Sequence, residues 1–177
     1  YKIGRSAQGA RSAASHTGAL AGEDRLYDAL FDKTGVIRLD RYADLIDVPM
    51  ALSAGRLAPG RRIAILTATG GAGALIADVA GLAGLDTPPP GPETARRLGA
   101  LLGDQGFVAE RNPIDLTLAG NRPEMIQGAL SVLVDSPDYD AVIAIVGSSA
   151  VARPDLVAVP VIEASASAAK PIVAWKP

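Results

Sequence analysis

The chain holds no cysteine among its 177 residues. Disulfide staples, thiol nucleophiles and thiolate metal centres are therefore excluded, and the composition agrees with a cytoplasmic setting. Histidine is nearly as scarce, since His16 is the sole imidazole. No second one exists to serve as acid, base or co-ligand, and no His/Asp/Glu cluster stands at ligand spacing, so no metal site is expected. Aromatic residues make up 4%, and 17 basic residues face 19 acidic ones for a net charge of −2. Neither base stacking nor a basic footprint is available, which excludes nucleic acid as a partner. The longest apolar stretch, Ile63 to Leu85, carries only Asp78 as a charge. Thr67, Thr69 and a run of glycines interrupt it, so it reads as a strand, a loop and a helix rather than a membrane span. The opening Tyr1-Lys-Ile-Gly-Arg5 has no initiator methionine and no apolar signal core. Both ends read as cut from a longer polypeptide.

What is present is globular: 49% apolar and 20% charged residues. With so few aromatics the core falls to Ala, Val, Leu and Ile. Residues 1–21, rich in Ala, Ser and Gly, read as loop with a short helix at most, and Lys2, Arg5 and Arg11 there suit either solvent or a phosphate. Glu23 and Asp24 sit where a helix N-terminus favours acids, with Leu26, Ala29 and Leu30 as its apolar stripe and Gly35 as its stop. A short strand is expected at Val36–Leu39. A helix capped by Asp40 follows to about Ala54, with Tyr42, Leu45, Ile46 and Met50 inward. Strand Arg61–Thr67, a Gly-rich loop and a helix to about Ala83 come next. Pro92 starts a helix with Ala95, Leu98 and Leu102 inward. A helix over 123–134, a strand over Asp140–Gly147, a helix from Pro154 to about Ala168 interrupted or bent at Pro160, and a strand at Ile172–Trp175 complete the pattern. Strands alternating with helices imply an α/β fold, a doubly wound and mainly parallel sheet. A break between a leading fragment and a compact domain is expected near Thr34–Val36.

Three constellations carry chemistry. His16 lies in Ser15-His-Thr-Gly-Ala-Leu-Ala-Gly22, where small neighbours leave the ring accessible. It suits a nucleophile toward phosphorus, or equally a loop histidine bonded to backbone. Thr69, Gly70, Gly71, Ala72 and Gly73 follow a strand and open a helix, so backbone N–H groups can approach an anion. The same loop also serves as a tight βα turn. It is no P-loop, and Ile76 stands where a dinucleotide fingerprint needs its third glycine. In Asn112-Pro-Ile-Asp-Leu-Thr117, Asn112 and Asp115 are either ligand-facing or bonded to local backbone. Ser167-Ala-Ala-Lys170 and the Ser15–His16 neighbours match hydrolase patterns by chance, for no partner motifs accompany them.

Lys2-Ile-Gly-Arg-Ser…Gly9-Ala-Arg-Ser-Ala-Ala-Ser-His-Thr-Gly-Ala-Leu-Ala-Gly22 resembles the phosphohistidine segment of the NDP-forming acyl-CoA synthetases, which include ADP-forming acetate–CoA ligase and are related to succinyl-CoA synthetase. The loop at 67–73 and Asn112-Pro-Ile-Asp are similar to that family's Gly-rich loop and Asn-Pro-hydrophobic-Asp segment, in family order. Ala68, Thr69 and Ala72 depart from the family's commoner residues in the loop. The resemblance implies that 1–34 is the C-terminal fragment of a phosphohistidine-bearing CoA-ligase subdomain and 36–177 a second, flavodoxin-like one. It implies an acid–thiol ligase: a small carboxylic acid, ATP and CoA give acyl-CoA through an acyl phosphate, whose phosphoryl group passes to or from the nucleotide by way of His16. Phosphate would face Gly70, Gly71 and Gly73. CoA, ATP/ADP and Mg would act as substrates of the whole enzyme, and CoA-binding and ATP-grasp domains as partners, with room for a homo-oligomer. The chain alone is expected to be inactive. A non-catalytic regulatory or scaffold module keeping this fold is the competing reading, and retention of His16 speaks against it.

Overall fold

A computed structural model of the chain describes residues 1–17, 22–53, 55–103, 109–117, 122–147, 153 and 155–175. It forms two compact units, Tyr1–Ala54 and Gly55–Pro177. This division lies C-terminal to the break expected near Thr34–Val36.

The larger unit alternates strand and helix: β1 (Ile63–Thr67), α4 (Gly70–Leu82), α5 (Pro92–Leu102), β2 (Ile114–Asp115), α6 (Pro123–Asp135), β3 (Ala141–Ile145), α7 (Asp155–Ser167) and β4 (Ile172–Trp175), numbered after three helices of the first unit. The four strands form one sheet in the order β2-β1-β3-β4, parallel throughout. All of β1 is buried, as its Ile-Ala-Ile-Leu-Thr run requires of a strand covered on both faces. One face, through Ile63, Ile65, Ala141 and Ile145, packs against Ile76 and Ala77 of α4. The other, through Ala64, Leu66, Val142 and Ala144, meets Leu98, Leu130 and Val161 of α5, α6 and α7. Pro92 opens α5 as expected, and Ile126, Ala129, Leu130 and Leu133 of α6 are buried as their spacing requires. The Leu102 side chain and Pro154 lie outside the described residues. Pro160 does not interrupt its helix: α7 runs through it, with the ring buried.

The outer edge of β1 is assembled from three pieces. The Asp86 backbone pairs first, accepting from Ile63 N–H at 2.7 Å and donating to Arg61 O at 2.9 Å. The Asn112 carboxamide then stands in for a peptide group: Oδ1 accepts from Ile65 N–H at 3.0 Å and Nδ2 donates to Ile63 O at 2.8 Å. Ile114 and Asp115 finish the edge opposite Leu66 and Thr67. The Asn112–Pro113 peptide bond is cis. At the opposite, N-terminal end of the sheet, Asp140 accepts from Arg62 through its guanidinium and its backbone N–H. Those bonds hold the Asp140 carboxyl below its ordinary range. Asp138 is likewise lowered, chiefly by the Thr94 hydroxyl at 2.6 Å, while burial opposes the shift.

The smaller unit contains α1 (Ala7–Thr17), α2 (Asp24–Thr34) and α3 (Asp44–Ser53). Residues 7–17 are helical where loop was expected, because Ala-rich sequence propagates a helix well and Ser6 Oγ accepts the Gly9 N–H at 3.1 Å to start it. Gly35 stops α2 in the left-handed region, at φ 70°, donating to Phe31 O. The strand expected at Val36–Leu39 does not form. Arg38 instead bonds Asp24 at 2.6 Å and also Asp28, tying this segment to α2. Asp40 does not cap a helix either: it pairs with Arg5 at 2.5 Å, and α3 begins later, at Asp44. The apolar residues expected to point inward are exposed, Tyr42 ahead of α3 and Ile46 and Met50 on it, and so are Leu26 and Leu30 of the α2 stripe. Neither helix has a buried residue. Among the described residues no helix is long and apolar enough to cross a membrane.

Candidate functional site

His16 occupies the last turn of α1, with an exposed side chain. Its neighbour Ser15 donates back to Ser12 O at 2.8 Å, so the two side chains do not form a nucleophile–base pair. Gly18, Ala19, Leu20 and Ala21 of the surrounding motif lie outside the described residues. Two of the nearby cations are committed within the unit. Lys2 Nζ and Arg5 Nε stand 3.7 Å and 3.5 Å from Asp24, whose carboxyl the Arg38 guanidinium holds below the usual carboxylate range. Lys2 also lies over the Tyr27 ring at 4.8 Å. Arg11 is exposed.

In the larger unit β1 runs directly into the glycine-rich turn. Thr67, buried at the end of the strand, fixes that turn with its hydroxyl, which donates to Thr69 O at 3.0 Å and accepts from Thr69 N–H at 2.9 Å. Thr69 is the N-cap of α4 in extended conformation, with no side-chain cap bond. Its carbonyl takes the N–H groups of Ala72 and Gly73, both at 3.1 Å. The amides of Gly70 and Gly71 donate to no described acceptor, as free N–H groups at a helix N-terminus do. Gly71 is exposed, and a Cβ there would meet nothing within 4 Å. Gly73 is buried: a Cβ would come to 3.1 Å from both Pro113 and Thr67, so this glycine serves close packing. The sequence motif thus divides into an open Gly71, a Gly70 that lies close to Asp115, and a packed Gly73.

The Asn112–Thr117 segment comes to this turn, and its two polar residues part company. Asn112 spends its carboxamide on Ile63, Ile65 and the Pro88 carbonyl at 3.0 Å, which is a splint for the sheet. Asp115 faces the start of α4, where a Cβ on Gly70 would stand 3.1 Å from Oδ2. Its other oxygen accepts from Thr117 N–H at 2.9 Å, with Thr117 at φ 57°. Thr67, Gly70, Arg111, Pro113, Asp115 and Thr117 line a cleft of about 300 Å³. Sequence reasoning passed over Arg111, Thr67 and Thr117. Arg111 is exposed and forms no ion pair among the described residues. The signal that could have found it was a cation directly preceding the Asn-Pro pair. The cleft lies at the C-terminal end of β1, where open α/β sheets take ligands. Helix-terminal amides and a guanidinium there favour an anion. No group of three His, Asp or Glu side chains among the described residues could hold a metal ion.

Comparison with known proteins gives consistent matches. Residues 1–52 match the family model described as succinyl-CoA ligase like flavodoxin domain. The chain is 35% identical over 144 residues to the alpha subunit of ADP-forming acetate–CoA ligase II of Pyrococcus furiosus, covering 81% of this chain and 31% of that one. It is 44% identical over 70 residues to the ADP-forming 4-hydroxybutyrate–CoA ligase of Nitrosopumilus maritimus, covering 40% of this chain and 10% of the relative. The solved Ca. Korarchaeum cryptofilum dinucleotide-forming acetyl-coenzyme A synthetase 1, in complex with phosphate and ADP, superposes with a TM-score of 0.81 at 29% identity, over 99% of this chain and 38% of that one. The flavodoxin-like α/β fold that the resemblance implied is thus shared, and the chain spans about a third of the acetate–CoA ligase subunit it matches. Residues 1–52 match the succinyl-CoA-ligase-like flavodoxin family model, and most of the chain is similar to one portion of the ADP-forming acyl-CoA synthetases.

Proposed function

We propose that this chain is the phosphoryl-carrying portion of an enzyme that makes acyl-CoA from a carboxylic acid, CoA and ATP. His16 carries the proposal: it is the sole imidazole, it is exposed, and it falls inside the residues matched by the family model. In this reading an unprotonated imidazole nitrogen attacks the γ-phosphorus of ATP in line, and ADP leaves. The phosphoryl group then passes from His16 to a carboxylate oxygen of the acid. CoA sulfur attacks the resulting acyl phosphate, giving the thioester and releasing inorganic phosphate.

The free amides of Gly70 and Gly71, supported by the Thr69–Gly73 turn, would bind the oxygens of a phosphate group. Asp115 would border that subsite, and Asn112 would hold it in place from behind. Mg²⁺ would arrive with ATP as part of the substrate rather than in a site of this chain. CoA-binding and ATP-grasp domains, on the same polypeptide or a partner, would supply the remaining subsites. The substrate would be a carboxylic acid, since relatives are named for acetate, 4-hydroxybutyrate and trans-ferulate.

The test uses the longer protein that carries this chain, incubated with γ-labelled ATP. An acid-labile, alkali-stable label is expected on the protein, and His16→Ala should abolish it. A label that survives the substitution rejects His16 as the carrier. The 177-residue chain by itself should form no acyl-CoA, and turnover by the purified chain would overturn the assignment to a partial enzyme.

A further inference from the structure

Asp115 and Arg111 stand in one cleft and do not neutralise each other. With Thr67, Gly70, Pro113 and Thr117 they line the space of about 300 Å³ at the end of β1. No ion pair joins either of them to another described residue. Asp115 is the odd member of this set. Helix-terminal amides and a guanidinium attract an anion, and a carboxylate beside them repels one.

The position of the carboxylate says what overcomes that repulsion. Oδ1 takes Thr117 N–H at 2.9 Å, which pins the side chain. Oδ2 is turned to the start of α4, 3.1 Å from where a Cβ on Gly70 would stand. No donor to Oδ2 stands among the described residues. An ionised carboxylate can only accept. An anion beside Oδ2 is therefore held well only if it brings a hydrogen of its own. Sulfate has none at neutral pH. A phosphate monoester, or the terminal phosphate of a nucleotide, loses its last one near pH about 6. Inorganic phosphate keeps one P–OH through the neutral and mildly alkaline range.

We propose that Asp115 makes this cleft selective for free inorganic phosphate. The P–OH donates to Asp115 Oδ2, and the remaining oxygens take the Gly70 and Gly71 amides and the Arg111 guanidinium. The inference rests on the reading of Gly70 and Gly71 as a phosphate subsite and adds which phosphate it takes. That phosphate is the one released when the thioester forms, rather than the terminal phosphate of ATP or ADP. The carboxylate gains this specificity by rejection, since it costs affinity for every oxyanion that lacks a hydrogen. A cation is the poorer partner for Oδ2. Among the described residues Asp115 is the only carboxylate lining the cleft, and no three His, Asp or Glu side chains are grouped to hold a metal.

Nuclear magnetic resonance of the isotope-labelled 177-residue chain follows the amide signals of Gly70 and Gly71 during anion titrations. Mildly alkaline pH, constant ionic strength and the absence of divalent cations isolate the effect of the P–OH. Phosphate should bind at least about tenfold tighter than sulfate or methyl phosphate. Asp115→Asn places an Nδ2 donor where the acceptor was, and should bring sulfate to within about twofold of phosphate. Arg111→Gln should weaken all three anions and keep the preference. Equal affinities in the unsubstituted chain, with both glycine signals moving, overturn the selectivity and leave the phosphate subsite standing. Signals that move with none of the anions overturn the subsite and the selectivity together. A preference that survives Asp115→Asn, one that is lost with Arg111→Gln instead, or phosphate binding that appears only when Mg²⁺ is added, also overturns the proposal.

Discussion

Helices α2 and α6 carry apolar stripes of similar spacing, yet their fates differ. Leu26, Ala29 and Leu30 of α2 lie at the surface, while Ile126, Ala129, Leu130 and Leu133 of α6 are buried beneath a sheet. The smaller unit is cross-linked instead by charge, with Lys2, Arg5 and Arg38 converging on Asp24. An amphipathic pattern specifies which face of a helix can be buried, and burial itself needs a second surface. Lys2 and Arg38 are largely buried in that cluster, whereas Arg5 is exposed and its pair contributes little.

Paired leucine truncations test that asymmetry most strongly. Leu130→Ala empties a site with no exposed area and should cost about 2–5 kcal/mol. Leu30→Ala removes a side chain that is half exposed and should stay within about 0.5 kcal/mol. Urea unfolding of the two variants followed by circular dichroism supplies both numbers. Equal costs would break the comparison, because they would mean that the α2 stripe is covered in solution.

A smaller effect separates the two polar residues of the Asn112–Asp115 segment. Asn112→Ala leaves Ile65 N–H and the carbonyls of Ile63 and Pro88 without their side-chain partner, and should cost about 1–3 kcal/mol. Asp115→Asn keeps an oxygen for Thr117 N–H and should change stability by less than about 1 kcal/mol. The same urea titration distinguishes them. Equal losses would mean that Asp115, like Asn112, is part of the scaffold.

The fold of the larger unit was legible because its signals are local and redundant. Buried strands are continuous apolar runs, and Pro92 marks a helix start where such a residue belongs. The smaller unit was less legible. Val36-Ile-Arg-Leu39 has the composition of a strand, but Arg38 finds two carboxylates on α2 and the segment has no described strand to pair with. The α1 segment reads as loop with a short helix because its Ser and Gly disfavour helix, yet its alanines carry the helix over Ala7–Thr17. At the candidate site the motif gave the residues and could not divide their work. Asn112 and Asp115 look alike in sequence, and only tertiary distances send one to the β1 backbone and the other toward α4.

The glycines of the turn give the finest division between scaffold and ligand-facing surface. Gly73→Ala forces a Cβ to 3.1 Å from Pro113 and from Thr67, whose hydroxyl is already pinned by Thr69. Overpacking at a site with so little give should cost about 1 kcal/mol. Gly71→Ala adds a methyl to open space in the first turn of α4 and should be neutral or stabilising by up to about 1 kcal/mol. That methyl nevertheless sits beside the free amides on which the phosphoryl proposal depends. In the longer protein Gly71→Ala should therefore weaken phosphate binding with no loss of melting temperature, whereas Gly73→Ala should lower both together. If Gly71→Ala binds phosphate as tightly as the unsubstituted protein, the start of α4 is a packing turn alone, and the assignment of Gly70 and Gly71 to an anion falls while that of His16 stands.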